Sequence, residues 1–420
     1  MWKTFQSSWY IVNNFHGILY IRCKDKNRRN IMARYLLMNK NTPVLEFDYD
    51  LEVHAVMKIL EVHDARYAPP STVDQKGNVT KKALNAWWKG RAIPASRNQI
   101  QQVLDCLDLD STLALAEKNF GLSLSDRYWI NDTAAPQQWK AINFFDNNFT
   151  DDLGILTLGQ QSSGHPNLMS PNSTLGGDLN KKWKIVNGER ILLKTGSALF
   201  RQEVQNEVAA TVLHQQLLEK EDYVPYFLHQ EGRSTYSACK NMLGENEELI
   251  TAYDVLCNKK KPSSMNDYQF LLSVYQELGL KNAEEMLTKM FVCDYILANE
   301  DRHWRNFGVI RNVETLEYTR VAPIFDSGTC LWCRAEMLEL PSDYSYVAKP
   351  FGNNGMSPDR QLELFHQFDW FDEQKLDGTV DKIMEILRTN ENISEKRLRN
   401  IQSGLENNIE NICEYTRREK

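Results

Sequence analysis

Over the first 70 residues apolar positions come in short runs rich in β-branched and aromatic side chains. Trp9-Tyr10-Ile11-Val12, Gly17-Ile18-Leu19-Tyr20-Ile21, Val44-Leu45-Glu46-Phe47 and Val56-Met57-Lys58-Ile59-Leu60 each predict a strand. Pro69-Pro70-Ser71 ends this pattern. The period then lengthens. Thr80 is placed to cap a helix over 81–89, with Gly90 as its stop. Ser96 is placed to cap a second helix over 97–107, where Ile100, Val103, Leu104 and Leu107 recur at helical spacing. Segments 131–136 and 160–172, rich in Asn, Ser, Gly and Pro, read as linkers.

The second half opens with Trp183-Lys184-Ile185-Val186 and Ile191-Leu192-Leu193-Lys194 around Asn187-Gly188. Both turn residues tolerate positive φ, so the pattern predicts a hairpin. A helix over 203–218 follows, with Val204, Val208 and Val212 on one face. Val224-Pro225-Tyr226-Phe227-Leu228 and Thr235-Tyr236-Ser237-Ala238-Cys239 form a second strand pair about Glu231-Gly232. From about residue 250 the pattern is mostly helical, and the charged end at 416–420 is expected to fray. The expected fold class is α+β. An N-terminal α+β region (1–150) precedes a small lobe on an antiparallel sheet with one helix (165–245), then a helical lobe (246–420).

Length and composition narrow the options. At 420 residues the chain is too long for one ordinary core. A charged fraction of 25% and a hydrophobic fraction of 42% are those of a soluble globular protein. The net charge of −7 argues against broad nucleic-acid coating but leaves room for a local basic patch. No apolar run approaches the roughly 20 residues that span a bilayer. Met1-Trp2-Lys3-Thr4-Phe5 lacks the core of a signal peptide. Eight scattered cysteines read as free thiols of a reducing cytosol, so the expected location is cytoplasmic. Cys330 and Cys333 are close in sequence, but a zinc knuckle needs a second such pair.

The chemistry concentrates in two acidic turns. One is Asn299-Glu300-Asp301-Arg302-His303-Trp304-Arg305-Asn306-Phe307-Gly308, the other Ile324-Phe325-Asp326-Ser327-Gly328. An Asp, an Asn five residues later and a second Asp at a strand end form a phosphoryl-transfer constellation. The first can deprotonate a hydroxyl, and the other two can hold magnesium between the phosphates of ATP. Met286, Met290, Cys293 and Leu297 give the preceding helix an apolar face that would hold the first turn rigid. Upstream, Lys194 ends a hairpin and Glu207 lies on the next helix, placed to form the ion pair that fixes a phosphate-binding lysine. His303 reads as a loop-packing or backbone-bonded residue. No G-x-G-x-x-G or Walker sequence exists; Ser170-Pro171-Asn172-Ser173-Thr174-Leu175-Gly176-Gly177 is the candidate phosphate loop. Adenine is expected beside Cys239-Lys240-Asn241-Met242, where the lobes join.

On these residues the chain resembles the HipA-type Ser/Thr kinases. Asp301-Arg302-His303 with Asn306, Phe325-Asp326-Ser327-Gly328, Lys194, Asn206-Glu207 and Lys349-Pro350-Phe351 carry the likeness, over roughly 165–375. The leading region, including Trp87-Trp88-Lys89-Gly90-Arg91-Ala92-Ile93-Pro94, is similar only in outline. The resemblance implies a two-lobed catalytic region and ATP-dependent phosphorylation of a protein serine or threonine. It also implies self-phosphorylation, for which Ser170, Ser173 and Thr174 are the candidates. It assigns Asp301 as base, Asn306 and Asp326 as magnesium ligands, and Lys194 as phosphate ligand; Ser173 and Thr174 of the candidate phosphate loop, and Lys240 and Met242 where the lobes join, are the expected nucleotide contacts from the residues themselves. Some members are toxins restrained by a DNA-binding antitoxin, so an antitoxin or DNA partner is a further expectation.

Two other readings compete. The same loop serves small-molecule and lipid kinases, although no basic amphipathic helix points to a membrane. The segment 80–110, with Lys81, Lys82, Lys89, Arg91 and Arg97, could instead be a DNA-reading helix pair in a non-catalytic binding module.

Overall fold

The computed structural model describes residues 9–14, 17–22, 32–160, 166–177, 179–196, 200–335, 345–352 and 355–419. Strands β1 (Trp9–Asn14) and β2 (Gly17–Arg22) pair antiparallel. The N-terminal region continues with β3 (Met32–Asn39), β4 (Thr42–Asp50) and β5 (Ala55–Val62), then α1 (Lys81–Arg91), α2 (Ile100–Leu107) and α3 (Thr112–Lys118). Next come β6 (Tyr128–Asp132), α4 (Trp139–Ile142) and α5 (Asp152–Thr157). An antiparallel sheet in the order β5-β4-β3-β6 buries Leu37, Leu45, Phe47, Tyr49 and Val56 against Leu84 and Trp88 of α1. Trp88 Nε1 donates to Tyr49 Oη at 2.9 Å, which satisfies the indole inside this core.

Several local expectations hold. Thr80 caps α1 by accepting from Ala83 N, although the helix passes Gly90 and ends at Arg91. The second helix starts at Ile100, not at 97, because Gln99 takes a left-handed φ of 66°. β3 and β6 have no counterpart in the sequence reading, and 131–136 is a strand end and turn rather than a linker. Residues 161–165 of the second expected linker lie outside the described residues.

The hairpin forms as expected: β7 (Lys181–Val186) and β8 (Glu189–Lys194) turn at Asn187 (φ 51°) and Gly188 (φ 83°). After α6 (Glu203–Leu217), strands β9 (Tyr226–Glu231) and β10 (Ser234–Lys240) complete a sheet in the order β7-β8-β10-β9. Then follow β11 (Glu247–Thr251), α7 (Ala252–Leu256), α8 (Asp267–Glu277), α9 (Ala283–Ile296), β12 (Gly308–Asn312) and β13 (Tyr318–Val321). The chain closes with α10 (Pro358–Leu362), α11 (Thr379–Leu387) and α12 (Glu395–Glu419).

The protein is thus a mixed α+β fold. The sheet β11-β12-β13 adds three strands to a part read as mostly helical; they are too short for their alternation to stand out. α12 runs to Glu419, so the expected fraying is not seen up to that residue. α9 is buried nearly all round, among Leu271, Tyr275, Phe351, Phe365 and Ile401. The N-terminal sheet docks on β11 and β12 through a buried polar cluster. Arg311 Nε donates to Glu248 Oε1 at 2.8 Å, and Arg311 Nη2 donates to Tyr128 Oη at 2.6 Å.

Buried His214 of α6 packs against the Tyr223 ring at 5.5 Å, and its Nε2 has no hydrogen-bond partner among the described residues. Burial, with Arg302 nearby, pushes its pKa down to about 3. Below about pH 6.5 the unfolded chain takes a proton that the native imidazole refuses, so stability falls as pH drops toward 3. Between pH 7.5 and 5.5 the wild type should lose about 1.4 kcal/mol more than His214→Phe. Urea titrations at the two pH values check this; equal losses would contradict it.

Candidate active site

β8 delivers Lys194 into the interior between the sheet and α6. Its Nζ contacts Glu207 Oε1 at 2.6 Å, Asp326 Oδ1 at 2.7 Å and Tyr226 Oη at 3.1 Å. Burial works against the charge of Lys194, but Asp326 and Glu207 hold its pKa well above the ordinary lysine value. Burial pushes the Glu207 carboxyl up, although Lys194 pulls the other way. Despite burial, Asp326 is held below the usual carboxylate range by Lys194, Lys181 and Arg302. Asp326 is the more open of the two acids, with 29% of its side chain accessible. The sequence reading has Tyr226 only as a strand residue; strand alternation alone does not tell which face of β9 meets the lysine.

Backbone geometry fixes the acids. Asp326 has φ 59°, and Ser327 N donates to Glu207 Oε2 at 3.0 Å. The next residue must be glycine: a Cβ on Gly328 would lie 2.9 Å from Glu207 Cγ and 3.1 Å from Glu203 O. Asn206, beside Glu207 on α6, donates to Gly328 O and Cys330 O at 2.9 and 2.7 Å. Segment 222–224 bonds to Ile324 through Val224 N→Ile324 O (2.9 Å) and Ile324 N→Asp222 O (2.8 Å).

Arg302 ties the two acidic turns together. It is fully buried and donates through both Nε and Nη2 to Asp294 of α9, at 2.8 and 2.9 Å. It also donates to Asn306 O (2.9 Å), Phe325 O (2.5 Å) and Ser327 Oγ (2.9 Å). Its partner is therefore Asp294 and not the adjacent Asp301. His303 is bonded to the loop backbone: Arg305 N donates to His303 Nδ1 at 3.2 Å.

Asp301 lies at the surface of this loop. Its Oδ1 pairs with Lys349 Nζ at 2.8 Å and its Oδ2 with Arg334 Nη2 at 3.0 Å. Asn306 Nδ2 donates to Asp301 O at 2.9 Å, which orients the amide. Asn306 Oδ1 and Asp326 Oδ2 have no hydrogen-bond partner among the described residues. Two hard oxygen donors on turns held by one guanidinium suit Mg²⁺, which binds one or two protein oxygens and completes its shell with phosphate and water.

The nucleotide-side expectations fare less well. Ser170, Ser173 and Thr174 are buried in a short 3-10 turn, Pro171–Thr174. Their hydroxyls donate to Thr150 O (3.3 Å), Leu168 O (3.1 Å) and Leu122 O (2.6 Å) respectively. The Thr174 hydroxyl is thus committed to the N-terminal region and that of Ser173 to the nearby Leu168 carbonyl. The following turn remains available. Arg97 reaches it from the N-terminal region, donating to Leu175 O, Gly176 O and Gly177 O at 2.6, 3.0 and 2.6 Å. Beside it stands half-buried Lys181, whose Nζ would lie 2.8 Å from a Cβ on Gly177. Burial pushes Lys181 down to about 8, with Lys194 and Arg97 acting in the same direction against Asp326. Lys181 is a cation of the cleft that the sequence reading passes over.

Lys240 is also a correction. It pairs opposite Ile191 on the face of β10 away from Lys194 and makes a surface contact with Glu189 at 3.3 Å. Met242 is half-buried in an apolar cluster with Cys239, Val208, Leu192 and Phe325, a suitable wall for a flat base. Cys330 is buried and Cys333 Sγ donates to Gly328 O at 3.9 Å; burial pushes both thiols up, so neither is a ready metal ligand. In the N-terminal region, Arg91 is buried against Asp126 (2.8 Å) and Arg97 is committed to 175–177. Of the five basic residues expected on a DNA-reading face, only Lys81, Lys82 and Lys89 are exposed.

No protein-family model matches the chain. It is 31% identical over 105 residues to the serine/threonine-protein kinase CtkA of Helicobacter pylori, which is 24% of this chain and 32% of that protein. The chain thus spans about a third of the length of that curated relative. A crystal structure of a Helicobacter pylori proinflammatory kinase CtkA superimposes with a TM-score of 0.43 at 19% identity, covering 57% of this chain and 94% of that one. Over the aligned segment the chain is similar in sequence to a serine/threonine kinase. No helix among the described residues is long and apolar enough to cross a membrane.

Proposed function

We propose that the chain is a HipA-like protein serine/threonine kinase that uses ATP and Mg²⁺. The observation that carries this reading is Lys194 held at 2.6 and 2.7 Å between Glu207 and Asp326, on turns that Arg302 joins to Asp301 and Asn306. Folding alone does not require this set. In this reading Glu207 fixes the Lys194 ammonium, which binds phosphate oxygens. Lys181 and the 175–177 turn add a second cation and backbone groups on the same side. Asn306 and Asp326 would hold Mg²⁺, whose charge would offset that developing on the phosphates. Asp301 accepts the proton of the acceptor hydroxyl. Met242 and Phe325 line the base.

The partner in this reading is a protein bearing the acceptor serine or threonine. Self-phosphorylation belongs to hydroxyls other than Ser170, Ser173 and Thr174, whose burial denies them the γ-phosphate. The experiment is thermal unfolding with and without MgATP. At a hundredfold excess over Kd, wild type should gain about 2.7 kcal/mol of stability. Lys194→Met and Asp326→Asn should lose that gain. An equal gain in all three proteins would put the nucleotide elsewhere.

A further inference from the structure

Asp301 carries two cations, one on each oxygen, with side chains 38% (Lys349) and 48% (Arg334) accessible. Lys349 sits on a braced segment. Ala348 and Met356 exchange backbone hydrogen bonds at 2.8 and 3.0 Å, and Gln361 Nε2 of α10 donates to Lys349 O at 2.8 Å. Two residues on, Phe351 is buried against Phe291 and Trp304, with ring centroids 5.1 and 5.6 Å away. Trp304 belongs to the Asp301 loop itself. Lys349 and Asp301 are therefore mounted on one rigid body. Arg334, which takes the other oxygen, is exposed. Half-buried Glu300 completes the charged surroundings, with its Oε1 lacking a hydrogen-bond partner among the described residues.

A hydroxyl that gives its proton to Asp301 must reach a carboxylate oxygen. Each oxygen has two lone pairs and holds one cation, so a hydroxyl can reach Oδ2 on the side of the more exposed Arg334 while Lys349 keeps Oδ1. We propose that Lys349 is a positioning residue that stays on Oδ1 and aims Oδ2 at the acceptor. The inference rests on the kinase reading. In the step it serves, the acceptor proton passes to Oδ2 of Asp301. The acceptor oxygen forms a bond to the γ-phosphorus. The bond from that phosphorus to the β,γ-bridging oxygen breaks, and its electron pair leaves with ADP. Lys349 transfers nothing; it fixes the angle at which the proton is received.

The test measures MgATP-dependent ADP release with casein as added acceptor, alongside MgATP affinity from the melting shift. It compares wild type, Lys349→Met, Lys349→Arg, Asp301→Asn and the Lys349→Met/Asp301→Asn double variant. Lys349→Met should lower kcat about 10–100-fold, with MgATP affinity within about twofold of wild type. In the Asp301→Asn background the same change should have no further effect, because the group it positions is gone. Lys349→Arg should recover most of the rate. Unchanged kcat in Lys349→Met would overturn the inference and leave the kinase reading intact. So would an equal fall in both backgrounds, which a merely structural role produces. If Lys349→Met fails to fold, Lys349→Arg decides by itself: a rate as low as that of Asp301→Asn in a folded protein counts against positioning. Wild-type ADP release no faster than that of Asp301→Asn overturns both readings together.

Discussion

Arg302→Ala is expected to destabilise the native state by about 3–5 kcal/mol, the usual cost of removing one partner of a buried ion pair. The guanidinium uses all five of its N–H groups, on both Asp294 oxygens, two backbone carbonyls and Ser327 Oγ. Alanine would leave the Asp294 carboxylate of α9 buried without its cation, and the 301–306 and 325–327 turns without their common staple. Lysine should not rescue, because a point ammonium cannot reproduce a planar fork. The folded fraction of either variant should also bind MgATP poorly, since Asn306 and Asp326 are no longer held in register. Urea unfolding measures the first effect and the MgATP melting shift the second. A loss below about 1 kcal/mol would mean that water or a rearranged Asp294 replaces the guanidinium.

Arg302 also illustrates what the sequence does and does not display. The spacing of Asp301, Asn306 and Asp326 is local and chemical, so it can be read directly, and so can the order of Lys194 and Glu207 before it. The Asn187-Gly188 hairpin and Thr80 cap are legible for the same reason: each depends on a few adjacent residues. The partner of Arg302 is eight residues back on a helix, and its choice over neighbouring Asp301 depends on which carboxylate is buried. Tyr226 and Lys181 are invisible because strand alternation gives two faces without naming the one that meets the site. Thr174 is hidden for a longer-range reason: its hydroxyl bonds to Leu122 O, which the N-terminal region brings in, whereas the Ser173 hydroxyl bonds locally to Leu168 O. Lys240 fails by a single position of strand parity. β3 lies between β4 and β6, and its Leu36-Leu37-Met38 run lacks the alternation that marks a half-exposed strand.

The most direct measurement is transfer of labelled γ-phosphate from MgATP by wild type and Asp301→Asn side by side. Asparagine keeps the shape and the Asn306 contact to the backbone of residue 301 but cannot accept the proton. General-base assistance contributes about 10²–10⁴-fold, so transfer should fall by that factor in the variant. MgATP should still raise its melting temperature, because Lys194, Asn306 and Asp326 remain in place. The label in the wild-type reaction should be stable on serine or threonine, and on the chain itself should map outside 168–177. Equal transfer by the two proteins, or no transfer by a wild type that binds MgATP, would contradict the assignment of Asp301 as the base of a protein kinase.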